Sequence, residues 1–251
     1  MVQNLKDGQI KKEPLDSGGF LISVSRHHAF GTDAILLADF AAAKKSDIAV
    51  DLGTGCGIIP FLFLRDKKTE KLSGVDISSE AIKLCNITNN DLSLSEKFTP
   101  ICADLKDLKG KLSFGEATLV TCNPPYKAPS AGIKSSDPIE CAARHETQCT
   151  LADIIDTAYK LMNTSARLCF CHRPERLGEL LTLMSNKGIE PKRLRLVCAR
   201  AGAEPWLVLV EGRKGGKTGL RIEPTLYVEQ NGQLSDEMMR IYGPYKTKVD
   251  F

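Results

Sequence analysis

From residue 46 onward, short apolar runs alternate regularly with helical segments, and no other feature restricts the possible folds as strongly. Ile48-Ala49-Val50-Asp51-Leu52 reads as a buried strand, Gly53-Thr54-Gly55-Cys56-Gly57 as a tight loop, and 58–65 as a helix with Pro60 tolerated in its first turn. Strand 71–76 and helix 78–90 follow, then strands 98–103 and 117–122, helix 151–162, strand 167–171 and helix 174–186. Repeated βα units bury their apolar faces in a mostly parallel sheet with helices on both sides. Segments 193–198 and 206–211 are too close for a helical crossover, so that last pair must be antiparallel. The expectation is an α/β fold built on residues 46–215.

Around that unit, residues 1–19 are polar and read as an irregular lead-in. Phe20–Val24 reads as a short strand or hairpin arm, and Thr32 or Asp33 as the cap of a helix running to Ala41. Residues 1–45 thus form an N-terminal arm with a capping helix, and 216–251 a C-terminal extension to which the sequence assigns no role. At 251 residues and 42% hydrophobic, the chain can bury one large core plus a small appendage. It has no apolar run of 18 residues and no apolar signal segment, and reads as cytoplasmic, with no membrane partner. The nine cysteines are scattered and mostly embedded in strand-like runs. They read as reduced, buried thiols, and with four histidines in no ligand spacing they predict no metal.

The chemistry concentrates at strand ends. Strand 117–122 runs into Asn123-Pro124-Pro125-Tyr126, where two prolines stop ladder pairing and fix φ twice. An Asn amide oxygen and a Pro carbonyl are acceptors, and an aromatic face stacks on a planar ring. Together they suit an exocyclic NH2 or a side-chain amide: adenine N6, guanine N2, cytosine N4 or glutamine. A plain turn after a strand would use the same residue types.

The glycine loop narrows the ligand. Gly53, Gly55 and Gly57 leave Ile58 where a dinucleotide fingerprint needs its third glycine, and no Walker lysine follows. Asp76 ends the second strand, 21 residues after Gly55, where a carboxylate can accept both ribose hydroxyls. Asp104 ends the third strand, in position to accept from an adenine amino group, and Asp51 can face an ammonium. A ribose and an adenine with a cationic amino acid and no phosphate describe S-adenosylmethionine.

The run 51–57 followed by Asn123–Tyr126 resembles the class I methyltransferases that modify exocyclic or amide nitrogens. Phe30-Gly31-Thr32-Asp33-Ala34-Ile35-Leu36-Leu37-Ala38, Ala143-Arg144-His145-Glu146 and His172-Arg173-Pro174-Glu175-Arg176 are similar to the bacterial tRNA(Val) adenine N6-methyltransferase group. The likeness spans about Phe20 to Gly212 and leaves the tail uncovered. It implies a Rossmann-like, seven-stranded sheet with an antiparallel last strand, S-adenosylmethionine as donor and a tRNA adenine beside the anticodon as acceptor. By position, Thr32, Asp33, Asp51, Gly53, Thr54, Gly55, Gly57, Asp76, Ile77, Asp104, Leu105 and Asn123 fall to the cofactor. Asn123, Pro124, Pro125 and Tyr126 fall to the target base, and Lys127, Arg144, His145, Arg173, Arg193 and Arg195 to the RNA.

Two features bear on RNA. The 24 residues between Tyr126 and Leu151 exceed a simple connection and read as a substrate lid. Between Lys192 and Arg221, eight basic residues face two acidic ones in a chain whose net charge is +3, which predicts either a phosphate-binding lobe or a solvated face. A protein-glutamine methyltransferase shares the Asn-Pro-Pro-Tyr run but usually carries a helical domain before the glycine loop, and only about 45 residues precede it here. Ribosomal-RNA or DNA base methylation, and a non-catalytic RNA-binding module on the same scaffold, stay open. So does the oligomeric state, with a monomer slightly favoured.

Overall fold

Residues 5–124 and 149–243 are described by the structure, a computed structural model. It begins with a hairpin in which β1 (Lys11–Pro14) pairs antiparallel with β2 (Leu21–Val24). The lead-in is therefore regular where the sequence predicts irregularity. Asp16 makes the turn, accepting at Oδ1 from the amides of Gly18 and Phe20 at 2.8 and 2.9 Å. Polar Lys-Lys-Glu-Pro carries no apolar alternation to announce a strand.

Helix α1 (Thr32–Ala41) starts two residues before its apolar run. Gly31, not Thr32 or Asp33, holds the cap position in extended backbone, and the Thr32 hydroxyl bonds instead to the Tyr242 phenol at 2.7 Å. Then come β3 (Ile48–Leu52), α2 (Ile58–Arg65), β4 (Lys71–Asp76), α3 (Ser79–Leu92), β5 (Phe98–Cys102) and β6 (Ala117–Cys122). After the undescribed stretch, α4 (Leu151–Leu161) opens with a reciprocal Thr150–Asp153 capping box. It is followed by β7 (Met162–His172), a 3-10 turn at Pro174–Arg176, α5 (Leu177–Asn186), β8 (Ile189–Cys198) and β9 (Pro205–Lys214). The helix expected from residue 174 is thus split, its first turn being wound more tightly.

The seven main strands lie in the order β8-β9-β7-β6-β3-β4-β5, with β9 antiparallel to both neighbours and the other pairs parallel. This is the Rossmann-like class I arrangement. Alternation along the strands builds two cores. Leu119, Cys169 and Leu209 face α1 and α2, whereas Val120, Leu168, Phe170 and Val210 face α4 and α5.

The C-terminal extension is part of this body. Strands β10 (Arg221–Ile222) and β11 (Leu226–Tyr227) run parallel along the outer edge of β8. After a two-residue-stranded hairpin (β12, Glu229–Gln230; β13, Gln233–Leu234), α6 (Asp236–Tyr242) buries Met238 and Ile241 in the core shared with α1. Arg240 pairs with Asp39 through both terminal nitrogens at 3.0 Å, and Arg195 with Glu237 at 2.8 and 2.7 Å. Two-residue strands leave no periodicity for the sequence to show. Among the described residues, no helix is long and apolar enough to cross a membrane.

Candidate active site

The carboxyl ends of β3, β4, β5 and β6 share one rim of the sheet. The β3–β6 register pairs Leu52 with Cys122, so the glycine loop and Asn123 leave neighbouring strands at the same level. The loop folds back on β4: the amides of Gly53 and Thr54 both donate to the Val75 carbonyl at 2.9 and 3.0 Å, and Gly57 N donates to Thr54 O at 2.8 Å. Its glycines have φ of 70°, 54° and 80°, the left-handed region that favours glycine. A Cβ on Gly53 or Gly55 would meet nothing within 4 Å, whereas one on Gly57 would stand 2.8 Å from the Phe61 ring and 3.0 Å from Cys85 Sγ. The first two glycines border open space and the third packs the loop against α2 and α3. Gly74 in β4, which the sequence reading passed over, has a similar packing role, since a Cβ there would lie 2.8 Å from Thr54 Oγ1 and 2.9 Å from the Phe98 ring.

Asp76 ends β4 with its carboxylate held from both sides. Oδ2 accepts from Gly55 N and Oδ1 from Ser78 N, each at 2.9 Å. Each carboxylate oxygen can accept more than one bond, so a pair of hydroxyls can share the group. Ile77 beside it is 40% exposed, presenting an apolar edge at the rim. Ser78, the cap of α3, also bonds to His28 Nε2 at 2.9 Å, and Ser25 Oγ donates to Glu80 Oε1 at 2.6 Å. These bonds latch the segment after β2 to the start of α3. A cap at Ser78 is legible in sequence, but its partner 50 residues away is not.

Asp104 lies just past β5, where Oδ1 accepts from Lys106 N at 2.9 Å and the Lys106 ammonium stands 4.0 Å from the carboxylate. The carbonyl of Leu105 accepts from the Thr157 hydroxyl at 3.0 Å, tying this corner to α4. Asp51 is placed differently from its neighbours. It is buried, and Thr121 Oγ1 donates to it at 2.6 Å. Burial pushes its carboxyl up from 3.8 to about 7; the Thr121 bond opposes that and the nearby Asp76 carboxylate adds to it.

Asn123 follows β6, half-buried, with Pro124 buried behind it. Cys171 on the adjacent β7 donates its thiol hydrogen to Asn123 Oδ1 at 3.1 Å. At the end of the same strand, His172 Nδ1 accepts from Arg173 N at 2.8 Å, and burial, with the Arg176 charge, holds the imidazole below its ordinary pKa. Arg173 donates to the Trp206 carbonyl at 2.9 Å and lies 5.8 Å over the Trp206 ring. Neither Cys171 nor Trp206 was singled out from sequence, since both read as ordinary strand residues.

Thr32 and Asp33 stand at the start of α1; the Thr32 hydroxyl is bonded to Tyr242, and Asp33 Oδ1 accepts from Ala34 N at 2.9 Å. Arg193 and Arg195, expected at the RNA, are engaged within the fold. Arg193 donates to the Phe40 carbonyl at 2.8 Å, lies 4.3 Å over the Phe40 ring and pairs with Glu211 and Glu223 at 3.5 and 3.2 Å. Arg195 is clamped by Glu237 and donates to the Pro224 carbonyl at 2.9 Å. Two of the opposing carboxylates, Glu223 and Glu237, come from beyond the basic segment. Pro125, Tyr126, Lys127, Arg144 and His145 lie outside the described residues, as does the stretch read as a lid. Among the described residues, no cluster of His, Cys, Asp and Glu could hold a metal ion.

The family model described as methyltransferase small domain matches residues 14–148. A protein from Porphyromonas gingivalis named tRNA1(Val) (adenine(37)-N6)-methyltransferase is 25% identical over 227 residues, covering 86% of this chain and 88% of its own. A structure described as a predicted O-methyltransferase from Agrobacterium tumefaciens superposes with a TM-score of 0.68 at 19% identity, over 85% of this chain and 97% of that one. A geranyl diphosphate C-methyltransferase from Streptomyces coelicolor, bound to S-adenosyl-L-homocysteine, does so at 0.53 and 14% identity, over 72% and 74%. At these identities the structures show the fold.

Proposed function

This chain belongs to the methyltransferase small domain family and uses S-adenosylmethionine, and from that premise we propose that it methylates the exocyclic N6 of an adenine in RNA, with tRNA as the substrate. The observation that carries the reading is the Leu52–Cys122 register. Adjacent parallel strands lie about 4.8 Å apart, so a donor cradle after β3 and an amine-gripping pair after β6 open side by side. The relatives named as tRNA adenine N6-methyltransferases support the choice of acceptor.

The residues present fit the cofactor. Asp76, preset by two amides, holds the ribose hydroxyls, and Asp104 with Ile77 and Leu105 frames the adenine. Gly53 and Gly55 leave room for the methionine portion. Asp51 ties β3 to β6 just before their two strand ends through Thr121, while Thr54, Gly57, Thr32 and Asp33 shape the surrounding wall. When bound, S-adenosylmethionine supplies a methyl group on a positively charged sulfur.

The chain's own contribution is to the acceptor. An adenine N6 shares its lone pair with the ring and is a poor nucleophile while planar. Asn123 Oδ1 and the Pro124 carbonyl accept its two hydrogens and favour the pyramidal nitrogen as positive charge grows, an interaction stronger in the transition state than in the ground state. Asparagine is no base near neutrality, so the proton leaves to water after transfer. By fixing the amine at one point beside the donor cradle, Asn123 and Pro124 would contribute acceleration through orientation. Tyr126 stacks on the extruded base, and Lys127, Arg144, His145 and Arg173 meet the RNA around it.

The test is transfer of labelled methyl groups into three pools lacking this modification: total tRNA, ribosomal RNA and protein. N6-methyladenosine in tRNA is the expected product. Label in protein would assign Asn123 to a glutamine side chain and overturn the reading.

A further inference from the structure

The β6–β7 register pairs Cys122 with Phe170, so the next residue on each strand, Asn123 and Cys171, stand side by side at the rim. Cys171 is fully buried and lies on the α1/α2 face of the sheet with Cys169. Its Sγ approaches Asn123 Oδ1 to 3.1 Å, a close contact for a thiol donor. An asparagine amide can turn by half a revolution about its last torsion and exchange oxygen for NH2. In the turned form the NH2 would face sulfur, a weak acceptor, so the thiol favours oxygen over nitrogen at this point.

We propose that Cys171 is a positioning residue for methyl transfer: its thiol holds the Asn123 side-chain oxygen in the orientation that accepts the hydrogen of the target amine. This rests on the reading of Asn123 as the amine-gripping residue. The identity of the donor suits the task. An ammonium at this position would form a charge-assisted bond to the amide oxygen and draw electron density from the acceptor that the reacting nitrogen needs. A thiol is a weak donor that fixes orientation at little cost to acceptor strength. Because it lies behind Asn123 on a central strand, it acts on the step that uses the oxygen and leaves the cradles for cofactor and RNA untouched.

The experiment compares Cys171→Ala, Cys171→Ser and Asn123→Ala in single-turnover methyl transfer to total tRNA from cells lacking this chain. S-adenosylhomocysteine affinity by calorimetry and thermal unfolding are measured alongside. Cys171→Ala is expected to slow transfer by about tenfold, the worth of one hydrogen bond, with cofactor affinity and the KM for tRNA within about twofold of wild type. Cys171→Ser, which restores a donor, recovers most of that loss. If the alanine variant fails to fold, Cys171→Val, close in volume and lacking a donor, replaces it. Full activity in the donor-less variant beside an inactive Asn123→Ala would overturn the role of Cys171 alone. Equal losses in the alanine and serine variants that track their unfolding temperatures would reduce Cys171 to packing and overturn it too. An active Asn123→Ala would remove the reading on which the proposal stands.

Discussion

Alanine at Gly53 and alanine at Gly57 make the same chemical change four residues apart, with opposite expected consequences. Both backbones sit at positive φ, 70° and 80°, so each substitution carries a strain of about 1–2 kcal/mol. At Gly53 the new methyl meets nothing within 4 Å and the cost stops there. At Gly57 it stands 2.8 Å from Phe61 Cε2 and 3.0 Å from Cys85 Sγ, both fully buried, and overpacking adds about 1–3 kcal/mol. Urea unfolding of the ligand-free proteins should therefore give losses of about 1–2 kcal/mol for Gly53→Ala and about 2–5 kcal/mol for Gly57→Ala. Calorimetric titration with S-adenosylhomocysteine should rank them the other way, because the Gly53 methyl projects into the space assigned to the methionine portion. A tenfold or greater loss of affinity there corresponds to about 1.4 kcal/mol, with the folded Gly57→Ala protein closer to wild type. Equal unfolding losses would refute the packing distinction, and unchanged affinity in Gly53→Ala would remove that glycine from the cradle.

Two more outcomes follow from the carboxylates. Asp51 holds its proton more tightly in the folded protein than in the unfolded chain, from an ordinary value of 3.8 up to about 7. Its contribution to stability is thus full below pH about 4 and is lost as the pH rises through about 7. The stability of Asp51→Asn, measured by urea unfolding across that range, should lack this decline; a parallel decline would assign it to other groups. Arg195→Gln should unfold earlier, by about 1–2 kcal/mol, through loss of the clamp on Glu237. It should leave the salt dependence of tRNA binding unchanged, whereas a shallower slope would return Arg195 to a phosphate.

What the sequence disclosed tracks the range of the forces involved. Val50, Leu52, Leu119, Val120 and Phe170 announce buried strands through local pattern, and the 21-residue spacing from Gly55 marked Asp76 as a strand-end carboxylate, while its 2.9 Å bond from Gly55 N is visible only in the structure. Long-range pairings were not legible. Nothing near Thr32 points to Tyr242, and nothing near Arg193 or Arg195 points to Glu223 or Glu237. The basic run therefore left a phosphate-binding lobe and a solvated face equally open, with no sign that Arg193 and Arg195 pair within the fold. Cys171 was hidden for another reason: a strand cysteine next to Phe170 looks like filler, and only strand register reveals that it abuts Asn123. Gly74 was passed over because the demand for a missing side chain comes from Thr54 and Phe98, both distant in sequence.

The bond between Thr32 and Tyr242 joins residues 210 positions apart. During synthesis at about 5–20 residues per second, that separation is about 10–40 s of waiting. Throughout it, α1 has its contacts with the sheet forming but not those with α6, and Asp39 lacks Arg240. The outer edge of β8 is likewise bare until β10 and β11 emerge. Until these segments emerge, a nascent chain keeps an open strand edge and an uncovered α1, the kind of exposed surface on which chaperones and proteases act.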